Sequence, residues 1–305
     1  MTGAWVGADV RAIAMSRRTI GRVGAASIAG CPDLATALAE LQSSPYARDI
    51  RPADDLAAAQ RAVACTLLWN VRVLAGWVPA SGVGMLRIAM AWFEILNLEA
   101  RLRPADRATA APLFDMGSLA TTPGGAESIT PGNVLERLRA TWWGAPSNDS
   151  LWAVGLAMRS RLVDRASAGV PGARAWAAGA AALIVARERV VAGNQLPPDV
   201  RHNLAHTLGQ QALEGDTVDS LRERLPERAR WVLNSVTSTE DLWRAESGWW
   251  ARVEADGREL LRRSSFGPEP VVGAVAVMAA DAWRVRAALH AAALGGATEA
   301  FDALA

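Results

Sequence analysis

The sequence contains no lysine, and most of its aromatic side chains are tryptophan. Its 32 basic residues are therefore all arginine, and 31 acidic residues balance them to a formal net charge of +1. A charge so close to neutral argues against a general nucleic-acid binder, because such proteins carry a basic excess. The exclusive use of arginine is typical of a GC-rich genome, and it also favours bidentate pairing with carboxylates at interfaces.

Cysteine is nearly absent, and long uncharged apolar runs are missing. Cys31 and Cys65 are too few for a disulfide framework or a cysteine-based metal site, which favours a reducing compartment. The sequence does not begin with a basic segment followed by an apolar run, so we expect no secretion signal. The longest apolar stretches, residues 175–186 and 271–280, are shorter than the ~20 residues that cross a bilayer. These features predict a cytoplasmic protein.

Strand signals are weak as well, since period-two runs of Val, Ile and Thr between tight turns are missing. Ala, Leu, Arg and Glu, which are strong helix formers, dominate instead, and 51% of the residues are hydrophobic. Three long apolar segments at roughly even spacing predict helices over residues 85–103, 173–193 and 272–296. Each segment closes a block of similar layout, so the sequence predicts an all-α protein of three pseudo-symmetric helical blocks.

Breaks in the pattern suggest where the three blocks meet. We place them at residues 1–104, 105–194 and 195–305. The Pro-, Gly- and Thr-rich stretch 121–132 is the best linker candidate, and residues 193–198 form the next break.

Two further helices are predicted from local signals. Apolar residues at steps of three or four predict a helix over residues 56–78, with Asp54 and Asp55 at its start and Pro79 at its end. A second helix is predicted over residues 239–263, with Thr239 as its capping residue and an i,i+4 pair between Glu254 and Arg258. Two arginine clusters are interpreted as solvated faces, with a docking face for an acidic partner as the alternative; they are residues 222–224 and the set Arg258, Arg262 and Arg263.

Histidine is scarce, and only one pair has the spacing of a metal site. His202 and His206 would share one face of a helix, and Asp199 could approach that face. Asn203 stands where a zinc hydrolase carries its catalytic Glu, so ordinary surface histidines are the favoured interpretation. Phosphate loops and nucleophile elbows are missing, and Asp54 and Asp55 fit a helix start better than a metal-binding acid pair. We therefore predict no catalytic, cofactor-binding or metal-binding residues.

The 13 tryptophans are unusual beside 1 Tyr and 4 Phe. Most are expected in the core, but two adjacent pairs, Trp142–Trp143 and Trp249–Trp250, are harder to bury. Neighbouring side chains on a helix diverge by about 100°, so both rings of a pair cannot easily face one core. We expect one ring of each pair at a seam between blocks or at a partner surface, where Trp is enriched.

The last predicted helix resembles the C-terminal helix of the C-type subunit of V/A-type ATPases, whose counterpart in vacuolar enzymes is the d-type subunit. In that family an acid-rich helix runs into an Asn-Leu-Arg core. Asp281 falls on an acidic position, Val285 on the Leu and Arg286 on the Arg, whereas Arg284 replaces the Asn.

Earlier segments resemble the same family in the same order. The helix with Trp92, Glu94, Asn97 and Leu98 is similar to an aromatic–acid–Asn-Leu helix of the family. The segment around Tyr46 resembles a Leu-rich helix leading to a Thr-x-Tyr turn, with Ser in place of the Thr. Residues 9–16 look like the family's Arg-rich opening helix.

The resemblance implies a funnel-shaped body made of three pseudo-symmetric parts, with no catalytic site and no cofactor. Such a protein is a central-stalk adapter between the rotor shaft and the membrane proteolipid ring, and it couples ATP hydrolysis to ion (proton) transport. It would be cytoplasmic and peripheral to the inner membrane as part of that complex. The matched residues are expected to be structural or partner-facing; they are Tyr46, Glu94, Asn97, Asp281 and Arg286.

Two alternatives remain open at this point. The first is a helical-repeat interaction scaffold, although its units of about 34 residues are much shorter than the blocks here. The second is a helical metalloenzyme that uses the face carrying His202 and His206.

Overall fold

The computed structural model describes residues 2–103, 112–122, 125, 128–263, 266–296 and 301. Within these residues the chain is all-helical and contains no β-strand, as the composition predicts. Among the helices in this part of the chain, none combines the length and apolar character needed to cross a bilayer.

Several 3-10 turns lie between the α-helices of the described residues. In chain order they are α1 (Val6–Ser16), α2 (Gly21–Ala29), α3 (Leu34–Leu41), α4 (Leu56–Ala75), α5 (Ala80–Leu102), α6 (Val134–Arg139), α7 (Leu151–Gly169), α8 (Arg174–Val185), α9 (Pro198–Leu208), α10 (Val218–Arg224), α11 (Glu227–Arg230), α12 (Leu242–Arg262) and α13 (Pro268–Ala293).

The chain divides into two compact units. The first unit combines Met1–Pro79 with Trp250–Ala305, and the second unit is Ala80–Trp249. The boundaries fall between α4 and α5 and within α12. They do not coincide with the predicted block boundaries near residues 104 and 194, and the division into three similar blocks stays a prediction. The first predicted boundary, at residues 104–105, lies outside the described residues.

Helix α13 is the centre of the first unit. It packs against α1, α2, α3 and α4, so a helix from the C-terminal part of the sequence is surrounded by four from the N-terminal part. Its Ala- and Val-rich sequence is buried on nearly every side from Pro270 to Ala292, as expected of a helix that is apolar all round. Pro268 occupies the first turn, where its missing N–H leaves no helical hydrogen bond unmade.

Helices α12 and α13 approach closely at two glycines within the first unit. A Cβ atom on Gly273 would lie 2.5 Å from the carbonyl oxygen of Gly257, and one on Gly257 would lie 3.0 Å from the carbonyl oxygen of Gly273. Neither position has room for a methyl group, so the approach of the two backbones depends on glycine at both.

The second unit is arranged around α7, which contacts α5, α8 and α9. One hydrophobic cluster joins α7 to the helices that follow it, and it includes Leu204 and Leu242. A smaller cluster joins α5, α6 and α7, and Trp143 is one of its buried members. Helix α8 continues into a π-helical turn, Ala186–Val191, before the break that the sequence predicts.

The helix predictions are confirmed with shifted ends. The predicted helix at residues 85–103 is α5, which begins earlier at Ala80, and the one at residues 173–193 is α8 with its π-helical turn. Asp55 caps α4, where its Oδ1 accepts from the backbone N–H of Ala58 at 2.7 Å. The capping role predicted for Thr239 is wrong, because Thr239 begins a 3-10 turn and α12 starts three residues later. Of the predicted linker, residues 123–124 and 126–127 lie outside the described residues.

Candidate functional site

Asp281 lies at the middle of a buried polar cluster in the first unit. Its carboxylate accepts three hydrogen bonds, from Tyr46 Oη at 2.8 Å, from Gly21 N at 2.8 Å and from Ile20 N at 3.3 Å. Ile20 and Gly21 begin α2, so Asp281 caps that helix from α13. One side chain therefore joins α13, the start of α2 and the turn after α3.

Burial controls the ionisation of this pair. It raises the pKa of Asp281 above its usual value, although the hydrogen bonds from Tyr46, Gly21 and Ile20 act in the opposite direction. Burial and the neighbouring Asp281 carboxylate raise the pKa of Tyr46 well above its usual value. The Tyr46 hydroxyl thus stays a hydrogen-bond donor. Because the oxygens of Asp281 are engaged, this arrangement suits joining helices rather than transferring a proton.

Arg284 extends the cluster one turn further along α13. It is only 3% exposed, and its Nη2 donates to Glu254 of α12. Arg258 also donates to Glu254, with 2.5 Å between Nη2 and Oε1, which confirms the predicted i,i+4 pair. Burial alone would raise the pKa of Glu254, but its hydrogen bonds with the two arginines outweigh burial and lower the pKa.

A cavity of about 190 Å³ lies beside Tyr46 and Asp281 in the first unit. Arg18, Arg48 and Trp69 also line it, and the Arg48 guanidinium sits 4.0 Å from the centre of the Trp69 ring. Cationic and aromatic side chains around a small opening suit binding.

Glu94 and Asn97 form a separate buried pair on α5 in the second unit. Asn97 exchanges two hydrogen bonds with the backbone of Phe114, at 2.8 Å and 2.6 Å. Glu94 accepts from the backbone N–H of Thr122 at 2.7 Å and from the hydroxyl of Thr121. Both residues therefore hold the segment 114–122 against α5.

The five residues of the family resemblance thus occupy different places. Tyr46 meets Asp281, Glu94 lies one turn before Asn97, and Arg286 stands apart on α13. The carbonyl oxygen of Arg286 accepts from Gln60 Nε2 of α4 at 3.4 Å. Apart from the half-buried Arg286, these residues are buried, and their contacts within the chain are structural ones.

The histidine pair does share one face of α9. The ring centres of His202 and His206 are 4.4 Å apart, and His206 Nδ1 is 3.4 Å from Asp164 Oδ1 of α7. The neighbouring carboxylate is therefore Asp164, and the sequence had suggested Asp199. Burial raises the pKa of Asp199. Over the described residues, no three His, Cys, Asp or Glu side chains are grouped as a metal site would require.

The two tryptophan pairs behave differently. Trp142 and Trp143 stack on each other, with ring centres 4.2 Å apart, and both pack on the same core. The prediction of diverging rings is wrong for this pair, because it lies in a turn where the helical 100° step does not apply. Within α12 the rings do diverge, since Trp249 donates to the carbonyl oxygen of Trp176 and Trp250 stacks on Trp283.

Sequence reasoning missed three charged residues of the first unit. Asp9 is 2% exposed and accepts from the backbone N–H of Gly267 at 3.0 Å. Arg17 and Arg18 directly follow α1 as an exposed pair and face two cavities. Two adjacent arginines directly after a predicted helix were the signal available for the last two, whereas nothing local marks Asp9 as buried.

A scan against models of known protein families finds no match, and no curated protein matches the chain at a significant level.

Proposed function

We propose that this chain is a non-catalytic central-stalk adapter resembling the C-type subunit of V/A-type ATPases. In this role it links the rotor shaft to the membrane proteolipid ring and passes torque between ATP hydrolysis and ion transport. The finer architecture belongs to the same proposal: three pseudo-symmetric helical blocks that form a funnel-shaped body.

The observation that carries the proposal is the contact between Tyr46 and Asp281. The resemblance selects these two residues independently, 235 positions apart, and their side chains meet in a buried hydrogen bond of 2.8 Å. Resemblance by chance among Ala- and Leu-rich helices would not favour two positions that contact each other. Glu94 and Asn97 support it too, since both anchor one segment to α5.

Rigidity and exposed tryptophans fit a mechanical adapter. Closely packed helices deform little under load. Trp69, Trp77, Trp152 and Trp243 each keep more than a third of their surface exposed. Tryptophan is enriched at protein interfaces and costly to leave in water, so these side chains favour a function in binding other proteins.

Co-expression of the tagged chain with the shaft and ring proteins of a V/A-type ATPase from the same organism tests the proposal. We expect affinity purification to retain proteins of both kinds. A Trp77→Ala variant is expected to weaken capture of one partner, whereas Val23→Ala, which trims a more exposed apolar side chain, should not. Capture of neither partner, or of only one, by the folded chain would contradict the proposal.

The same four tryptophans favour a second candidate, the helical interaction scaffold without a rotary ATPase. Affinity purification would support this second candidate if it retained other proteins but neither shaft nor ring proteins. The metalloenzyme alternative gains no comparable observation, since His206 approaches a single carboxylate at 3.4 Å.

A further inference from the structure

An open cavity of about 370 Å³ in the first unit, here called the basic cavity, is lined by arginine side chains from two helix ends. Arg17 comes from the end of α1, and Arg258 and Arg262 come from the last turns of α12. All three are exposed. Cations are favoured at helix C-termini, which accounts for arginine at each end. It does not account for the convergence of three arginines on one opening.

The charges around the basic cavity are not balanced. Among the described residues, Arg17 and Arg262 have no carboxylate partner, while Arg258 pairs with Glu254. Glu254 is itself shared with the buried Arg284, so one acid serves two cations. The opening therefore presents two uncompensated guanidinium groups, which can each bind a carboxylate in a bidentate way.

The floor of the basic cavity is apolar. Ile13 of α1, Leu261 of α12 and Val277 of α13 form it, and all three are less exposed than the arginines of the rim. Thr19 lines this cavity and also the one beside Tyr46, so the two openings are neighbours. The second opening adds Arg18, whereas its Arg48 lies 4.0 Å from the carboxylate of Asp49. A ligand that follows both openings would be an extended chain rather than a single small anion.

We propose that the basic cavity is the docking site for an acidic segment of a partner protein. Carboxylates of that segment pair with Arg17 and Arg262, and an apolar side chain between them rests on Ile13, Leu261 and Val277. A free phosphate would use the rim and leave the floor empty, and the flat face of a bilayer would not enter the concavity. An acidic peptide with an interleaved apolar residue is complementary to both parts. The proposal does not depend on the rotary-ATPase assignment.

Fluorescence anisotropy with a labelled peptide, acetyl-Glu-Glu-Leu-Glu-Glu-Leu-Glu-Glu, tests this site on the full chain. We expect saturable binding that weakens as salt rises, because rim charges are screened. Each of Arg17→Gln and Arg262→Gln should lower affinity about two- to fivefold, the range of single exposed ion pairs. The double variant should lower the affinity for the peptide about tenfold or more, because both arginines bind the same peptide.

The matched control is the double variant Arg139→Gln and Arg174→Gln. It removes two exposed arginines of the second unit that have no ion pair among the described residues, so the change in net charge is the same. This variant should bind the peptide as the wild type does. Circular dichroism checks that every variant folds.

Four outcomes would overturn the proposal. The first is absence of peptide binding by the folded wild-type chain. The second is an equal loss in the control double variant, which would mean a response to net charge alone. The third is tighter binding to inorganic phosphate or to vesicles containing phosphatidylserine than to the peptide. A Glu-to-Gln version of the peptide that binds as well as the acidic one would count in the same way.

Discussion

At the scale of single residues, Asp281 shows how a buried acid can define a fold. Taking a carboxylate out of water is costly unless hydrogen bonds replace the lost hydration. Asp281 obtains three, two of them from backbone N–H groups at the start of α2 that would otherwise lack partners. The residue therefore stabilises one position of α2 relative to α13, and displacement of either helix would leave a buried group unpaired.

Replacement of Tyr46 by Phe measures the contribution of this contact. The change removes one hydrogen bond to a buried charged group and keeps the ring, so we expect a loss of about 2 kcal/mol in the free energy of unfolding. Thr66→Val is the matched control in the same cavity. The Thr66 hydroxyl donates at 2.8 Å to Asp49, whose side chain is 25% exposed. Asp49 can bind water once that hydroxyl is removed, so this variant should lose less of the free energy of unfolding than Tyr46→Phe does. Urea denaturation of both variants checks the comparison, and an equal loss in the two would contradict it.

Glu254 and Asp281 should give the stability opposite dependences on pH. Hydrogen bonds from two arginines lower the pKa of Glu254, so its stabilisation is present above the unfolded pKa and is lost as pH falls through the folded one. Glu254→Gln should therefore cost about 3 kcal/mol at pH 7, as for a broken buried ion pair. This cost should shrink below pH about 4.5, near the ordinary pKa of Glu.

The variant Asp281→Asn provides the reverse case. Burial raises the pKa of Asp281, so its favourable contribution is complete below the unfolded pKa and declines as pH rises through the folded one. The stability difference between wild type and this variant should be greatest at low pH. Denaturant titrations from pH 3 to pH 7 compare the two variants, and the same slope in both would contradict this interpretation of the cluster.

At the scale of helices, the contact between α12 and α13 depends on two glycines. Their backbones approach so closely that a methyl group on Gly273 would lie 2.5 Å from the carbonyl oxygen of Gly257. Glycine disfavours a helix interior by about 1 kcal/mol relative to alanine. Its presence on both facing surfaces of long helices is explained by the close packing it permits.

The variant Gly273→Ala tests this explanation. The added methyl group would force the helices apart, and we expect a net loss of about 1–3 kcal/mol, as for other overpacked cores. Gly248→Ala is the control within α12, because no atom lies within 4 Å of a Cβ there. It should instead raise stability by about 0.5–1 kcal/mol through better helix propensity. Thermal unfolding measures both, and a gain for Gly273→Ala would show that the contact is loose.

Sequence patterns predict where the helices lie, but they do not predict which residues from distant segments contact each other. The apolar residues that recur every three or four positions from Leu56, together with the capping residue Asp55, correctly predict α4. Both signals act within one or two turns of the helix. The pairing of Tyr46 with Asp281 and that of Glu254 with Arg284 join distant segments, and no local signal specifies such partners. The prediction fails for Trp142 and Trp143, which stack on each other, because it applies the 100° step of a helix to a pair in a turn.

At the scale of the whole molecule, the two units differ in how the chain builds them. The second unit is one continuous segment with its own hydrophobic clusters, and Leu242 and Ala245 of α12 belong to one of them. The first unit needs both ends of the chain, because α13 fills the space among α1, α2, α3 and α4. Two buried acids also link these segments. Asp9 accepts from the backbone N–H of Gly267, and Asp281 accepts from that of Gly21.

Removal of α13 should therefore unfold the first unit and spare the second. A chain ending at Arg263 would leave the apolar faces of α1, α2 and α4 without their shared partner, which amounts to loss of a whole core rather than a cavity. We expect trypsin to cleave this chain rapidly at arginines before Pro79. The segment 80–249 expressed alone should unfold cooperatively, as a unit with its own core does. If residues 2–79 were protected equally well in the shortened chain and in the full chain, the proposed dependence of α1, α2, α3 and α4 on α13 would be wrong.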